Sequence, residues 1–253
     1  VTELLHREDR GGVRVLQLSR GKANALDVEL ASELDRAAKD AAVEGGVRAV
    51  VLTSASPSIF CGGFDLQVLG RAEPAAFDAF LRTFEELFLD LFLFGKPLVA
   101  ALTGHAIAGG AILAAATDFR LAAEGNGTLA LPEARLGVLV PHPCLEAMRA
   151  SVGERALARL TLGGEPIPFA EAKELGAIDR IVPKDVLLDE AVALAGRLGE
   201  APSEIYAANK RYLRGPAHER ARAVTESGRR AFTDSWFSAE GQRRIAATLS
   251  RIK

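Results

Sequence analysis

Two periodicities alternate along the chain and predict its elements. Val13-Arg14-Val15-Leu16-Gln17-Leu18 alternates apolar and polar residues, which predicts a half-buried strand after the Gly11-Gly12 turn. From Asp27 onward, Leu30, Leu34, Ala38 and Ala41 recur at helical spacing, with Asp27 placed to cap the helix. Gly45-Gly46 ends that helix, and the continuous apolar run from Val47 to Thr53 predicts a buried strand. Ser54 to Leu66 reads as a loop with its own glycines. Pro74 opens a long helix in which Phe77, Phe80, Phe84, Phe88 and Phe92 fall three or four residues apart. Such a stripe predicts core, with the lining of a pocket as the alternative. Lys96-Pro97 ends the helix, and Pro97 to Thr103 is a further apolar run. Strand and helix alternate throughout, which places the chain in the α/β class.

The second half begins in the same way. Asp118 to Ala123 predicts a strand, and Gly125-Asn126-Gly127 turns the chain back through Thr128 to Leu131. Pro132 to Gly137 predicts a short helix or turn, and Pro141-His142-Pro143 then interrupts the chain. Helical segments are expected near 144–152, 154–162 and 169–175, then one last short strand, Ile178 to Val182. Beyond Asp185 only helices are expected, at about 185–199, 202–214, 216–232 and 238–250. The chain therefore divides into an α/β core, 1–195, and a helical C-terminal region, 196–253. Trp236, Tyr206 and Tyr212 all lie in that tail, and such a tail often packs on a neighbouring subunit.

Composition narrows the partners more than the fold. The 253 residues are nearly half hydrophobic and one quarter charged, with a formal net charge of −2, so a nucleic acid or a membrane surface is not the expected partner. Cys61 and Cys144 form no disulfide framework, and His6, His105, His142 and His218 have no metal-ligand spacing. No metal is expected. The first residues show no signal-peptide pattern and no run is long enough to span a bilayer, so a cytoplasmic location is expected.

Chemistry concentrates in two glycine-bearing stretches. Gly104-His105-Ala106-Ile107-Ala108-Gly109-Gly110 follows the Pro97–Thr103 strand and leads into Ala111 to Ala116, small and apolar on every face. The first N–H groups of a helix have no internal partner and carry the positive end of its dipole. A strand, a glycine turn and a buried helix start can thus hold an anion or a developing oxyanion, although tight packing alone would use the same residues. Ile59-Phe60-Cys61-Gly62-Gly63-Phe64-Asp65-Leu66 follows another strand and offers the same kind of backbone donor. Strand ends in an α/β fold converge on a ligand crevice.

Taken together, these motifs resemble those of the enoyl-CoA hydratase/isomerase (crotonase) superfamily over essentially the full length. Asn24-Ala25-Leu26 resembles its early N-A-L, and Phe60 to Leu66 its F-x-(A/G)-G-x-D-L loop. Gly104 to Gly110 resembles its G-x-A-x-G-G-G, with alanine in place of one glycine. Asp118-Phe119-Arg120 and Leu131 to Gly137 follow in order. The resemblance implies a crotonase-like spiral of ββα units with a helical C-terminal trimerisation region, assembled as a homotrimer or a dimer of trimers. It implies an acyl-CoA thioester as substrate and no separate cofactor. By position, the oxyanion hole would be the N–H groups of Phe64 and Gly109. Adenine would lie near Ser58, Ile59 and Phe60, and Lys22 near the CoA phosphates. Ala23, Gly62, Asp65 and Leu66 complete the implied substrate-binding positions, with Phe237 reaching CoA from the adjacent subunit.

Hydratases of this family hold water between two glutamates. The first would stand three residues after Gly109, where this chain has Ile112; the second matches Glu133. The Gly137-Val138-Leu139-Val140-Pro141-His142-Pro143 segment resembles that of the Δ3,Δ2-enoyl-CoA isomerases, which work with a single glutamate at the position of Glu133. His142 is a candidate for the acyl pocket, against a structural role between its prolines. The expected enzyme shifts a 3-enoyl-CoA double bond to 2-enoyl-CoA through an enolate, with Glu133 as acid and base. The alternatives are a hydratase or another enolate reaction such as hydrolysis or decarboxylation, and a non-catalytic acyl-CoA-binding protein.

Overall fold

A computed structural model describes residues 3–251. The chain opens with β1 (Leu5–Arg10) and β2 (Val13–Leu18), an antiparallel hairpin around Gly11-Gly12. β1 was not expected, because only Leu5 of its six residues is buried and an edge strand of charged residues has no apolar alternation to read. Helix α1 (Val28–Val43) comes next, with the Asp27 carboxylate accepting the Leu30 N–H at 3.0 Å as its N-cap.

Three strand pairs then repeat one design. β3 (Ala49–Ser54) and β4 (Ile59–Cys61) precede α2 (Leu66–Leu69) and α3 (Pro74–Phe92). β5 (Leu98–Leu102) and β6 (His105–Ile107) precede α4 (Gly109–Ala116). β7 (Phe119–Ala123) and β8 (Thr128–Ala130) precede α5 (Glu133–Leu136), α6 (His142–Val152) and α7 (Glu154–Gly163). After β9 (Ile167–Pro168), α8 (Phe169–Glu174) and β10 (Arg180–Val182), the chain ends in α9 (Leu187–Leu198), α10 (Ser203–Ala223), α11 (Thr225–Trp236) and α12 (Ala239–Leu249). The first strand of each pair joins a six-stranded sheet, order β1-β2-β3-β5-β7-β10, parallel from β2 onward. The second joins a four-stranded sheet, order β4-β6-β8-β9. This is the expected spiral of ββα units.

Both faces of the large sheet are covered, which is why its strands are apolar almost without interruption. Val13, Val15, Ala49, Val51, Val99 and Ala101 pack on one side under Leu187, Ala191 and Ala195 of α9. Leu16, Leu18, Val50, Leu52, Ala100 and Leu102 face the main core. That core takes the whole phenylalanine stripe of α3, each ring no more than 1% exposed.

The tail departs from expectation in two ways. A break at Gly215-Pro216 was expected, yet α10 runs through Pro216 and stops only at Val224. A proline inside a helix removes one hydrogen bond and crowds the preceding turn, at about 3 kcal/mol. Here contacts on both sides of it offset that cost. Lys210, Arg214, Ala217 and Ala221 form one buried face against α6 and neighbouring elements. Trp236, expected to meet a neighbouring subunit, is 2% exposed within its own chain, whereas Tyr212 is 81% exposed.

Asp118 anchors that face. Its Oδ2 accepts from Lys210 Nζ at 2.7 Å, Tyr206 Oη at 3.0 Å and the Leu98 N–H at 2.9 Å, while Arg214 Nη1 stands 3.3 Å from Oδ1. Arg214 also donates to the Ala116 and Thr117 carbonyls at the end of α4, where the helix dipole favours a cation. Burial lowers the Lys210 ammonium to about 8, against the pull of Asp118. Asp118→Ala would leave two buried cations without their counter-ion. It should destabilise the chain by about 3–5 kcal/mol, read as a shift in the midpoint of urea unfolding.

Candidate active site

Two loop backbones build the centre of the site. Leu26 pairs with Phe64 as an isolated parallel bridge: the Leu26 N–H donates to the Gly63 carbonyl at 2.7 Å, and the Asp65 N–H to the Leu26 carbonyl at 2.8 Å. The Phe64 N–H therefore faces away from that bridge, and among the described residues it has no protein partner. On the second loop the Ala108 N–H donates to the Ala130 carbonyl at 2.8 Å, and the chain turns sharply at Ala108 into α4. Gly109 is the first residue of that helix, and among the described residues its N–H is likewise unpaired. The two loops lie in contact. A Cβ on Gly63, whose φ is +87°, would stand 2.8 Å from Ala108 Cβ and 3.2 Å from Gly109 N, and one on Gly110 would overlap the Cys61 carbonyl. Only glycine permits this approach.

Side chains brace the first loop from behind. Asn24 is fully buried; its Nδ2 donates to Ser54 Oγ at 2.7 Å and to the Phe60 carbonyl at 3.1 Å, and its Oδ1 accepts the Arg20 N–H. The Arg20 guanidinium joins Asp65 at 2.8 Å to Asp27 at 2.6 Å and also donates to the Ala25 carbonyl. Each of those aspartates caps a helix, α2 and α1 respectively. In front, the Phe64 ring is held edge-on by Phe80 and Phe84, with centroids 4.8 and 4.9 Å away.

These elements enclose a cavity of about 410 Å³. Phe64, Gly62, Leu66, Gly109 and Ile112 line it from the loops and α4, and Pro132, Glu133, Leu136 and Val138 from the segment around α5. Phe232 and Trp236 of α11, with Thr248 and Arg251 near the chain end, complete it. Glu133 is the only carboxylate among the lining residues and is 5% exposed. Its Oε2 is buried without a hydrogen-bond partner among the described residues. Burial pushes its carboxyl up to about 8, only partly offset by its own backbone N–H. Ile112 is 1% exposed and brings no polar atom. A base near neutrality beside two free backbone donors suits the removal of a proton next to a carbonyl whose oxygen becomes negative.

The other expected positions fall into three groups. Lys22, Ser58 and Ile59 line a separate, shallower cavity of about 460 Å³ with Gly21 and Ser56. Ala23 and Phe60 serve the scaffold: the Ala23 carbonyl accepts the Gly62 N–H at 2.8 Å, and the Phe60 ring is fully buried in the core. Asp65 does the same through Arg20. His142 does not line the main cavity. It opens α6 just after Pro141, which does line the cavity, and borders a different cleft with Leu139 and Gly228, 3.7 Å from Glu146. Phe237 also stands outside the main cavity, edge-on to Phe77 at 5.4 Å. Sequence reasoning missed Arg20, whose partners lie up to 45 residues away. It also missed Phe232 and Trp236, a pair four residues apart on one face of α11. Among the described residues no cluster of His, Cys, Asp or Glu could hold a metal ion.

Stacked ββα units thus bring together, among the described residues, two unpaired N–H groups and a buried glutamate around one largely apolar cavity. The enoyl-CoA hydratase/isomerase family profile matches residues 8–247, and the chain belongs to that family. It is 28% identical over 212 residues to enoyl-CoA delta isomerase 1, mitochondrial, of Rattus norvegicus, covering 83% of this chain and 73% of that one. It is 30% identical over 213 residues to carnitinyl-CoA dehydratase of Escherichia coli (strain SMS-3-5 / SECEC), covering 84% and 81%. The crystal structure of human mitochondrial delta3-delta2-enoyl-CoA isomerase superposes with a TM-score of 0.94 at 25% identity, over 99% of this chain and 98% of that one.

The buried carboxyl has a consequence for stability. Its folded value of about 8 lies above the unfolded 4.5, so the folded state holds the proton more tightly. That contribution is complete below about pH 4.5 and is lost as pH rises through about 8. Glu133→Gln does not titrate. Its melting temperature should therefore match the wild type near pH 4.5 and exceed it increasingly up to pH 8, as followed by calorimetry across that range.

Proposed function

We propose that this chain isomerises 3-enoyl-CoA thioesters to 2-enoyl-CoA thioesters, with Glu133 as the single acid–base group and no cofactor. The observation that carries this reading is one carboxylate, buried and raised to about 8, in a cavity where Ile112 brings no second polar group. Glu133 removes a proton from C2. The C3–C4 double bond moves to C2–C3 as the charge spreads onto the thioester oxygen, which accepts hydrogen bonds from the Phe64 and Gly109 N–H groups. Each such donor is worth about 3 kcal/mol of barrier. The protonated Glu133 then returns the proton at C4. Ile112 supplies no hydrogen bond to hold a water for hydration. The shallow cavity at Lys22, Ser58 and Ile59 supports the nucleotide end of CoA there. Ile205, Tyr212 and Leu213, exposed along α10, support assembly as a homotrimer or a dimer of trimers, in which Phe237 meets CoA of the adjacent subunit. A cytoplasmic location belongs to the same reading.

The test is a coupled assay on cis- and trans-3-enoyl-CoA beside 2-enoyl-CoA of several chain lengths. The wild type should isomerise the former and hydrate the latter poorly. Its kcat/KM should rise with pH and level off above about 8, since the free enzyme's base must be ionised. Glu133→Gln should keep CoA affinity but lose turnover by more than the ~10²–10⁴-fold of ordinary general acid–base help, because no second carboxylate can substitute. Near-normal turnover in that variant would remove Glu133 from the mechanism, whereas saturable CoA binding by a wild type that turns over none of these substrates would leave acyl-CoA binding as the better account.

A further inference from the structure

Among the described residues only Asn24 and Ala108 have a positive φ without being glycine. Asn24 is compensated by three side-chain hydrogen bonds, and asparagine tolerates this region. Ala108 has neither excuse. Its φ of 50° and ψ of −120° are those of the first central residue of a type II′ turn, a position glycine dominates. The turn aims the Gly109 N–H, but glycine at 108 would hold the same backbone without strain. What alanine adds is its methyl group.

That methyl has a definite place. Ala108 lines the main cavity, and a Cβ on Gly63 would stand 2.8 Å from its methyl, which therefore lies over the backbone just before Phe64. Ile112 is one helical turn further on, its N–H bonded to the Ala108 carbonyl at 3.0 Å, and it lines the same cavity. Neither side chain can hydrogen-bond. An ordered water needs both space and two to four polar partners. The methyl of Ala108 removes space where Ile112 removes partners.

We infer that Ala108 is a specificity-determining residue, whose methyl group and Ile112 together form the apolar wall that keeps water from the reacting carbons. The inference rests on the proposed isomerase reading. Hydration adds a water across C2=C3, oxygen to C3 and a proton to C2, and would use the same oxyanion hole and the same Glu133. The choice between the two reactions then depends on whether a water fits beside C3.

Ala108→Gly in the full chain tests this. The variant should melt a few degrees higher, because the strain is released. Its ratio of 2-enoyl-CoA hydration to 3-enoyl-CoA isomerisation should rise at least about tenfold, the discrimination that one methyl-sized change in an apolar pocket can carry. A higher melting temperature with the wild-type ratio would overturn the inference and leave Ala108 a strained packing residue, with the isomerase reading intact. A wild type that isomerises no 3-enoyl-CoA would remove that reading and this inference with it.

Discussion

The site depends on two loop backbones that approach each other across glycines. The β4–α2 connection and the β6–α4 junction lie so close that Gly63 and Gly110 admit no Cβ. Pairing of Leu26 with Phe64, and of Ala108 with Ala130, uses the neighbouring peptide groups and leaves one N–H on each loop without a partner among the described residues. A free buried donor is unfavourable in the resting protein, so the surroundings must hold it in place. Asn24, the Arg20–Asp27–Asp65 bridge and the aromatic contacts of Phe64 do this. The ββα repeat supplies the frame, since each unit sends its second strand into the small sheet that carries these loops.

The same enclosure sets the chemistry at Glu133. Loss of water raises the carboxyl to about 8 and so makes its ionised form a stronger base. It also strengthens the attraction between an N–H donor and a developing oxyanion, because little solvent competes. On the proposed reading, basicity and oxyanion stabilisation therefore share one cause, the dryness of the cavity. The helical tail contributes to it directly. Phe232 and Trp236 of α11 close the cavity within the same chain, and α10 is tied to the core through the Asp118 cluster.

Much of this was legible in the sequence, and the remainder was hidden for physical reasons. Asp27 as a cap, the phenylalanine stripe as core and the two glycine loops are local patterns, and local patterns survive folding. Glu133, Phe64, Gly109 and Ile112 were located by motif register and line one cavity. Arg20 was invisible because its meaning lies in partners brought together only by the fold. Pro216 misled because the cost of a proline is local, whereas the contacts that offset it come from α6 and Asp118. His142, open in the sequence between an acyl-pocket and a structural role, stands apart because Pro141 reaches the cavity while the start of α6 turns the next side chain to another cleft.

The central claim is that one buried carboxyl carries a proton from C2 to C4 without exchange against water. It is tested most directly by following the label when 3-enoyl-CoA deuterated at C2 is converted in ordinary water. A deuteron held on Glu133, with Oε2 sealed from solvent, should be delivered in measurable part to C4 of the product. Product carrying only solvent hydrogen at C4 from the first turnovers would contradict the account.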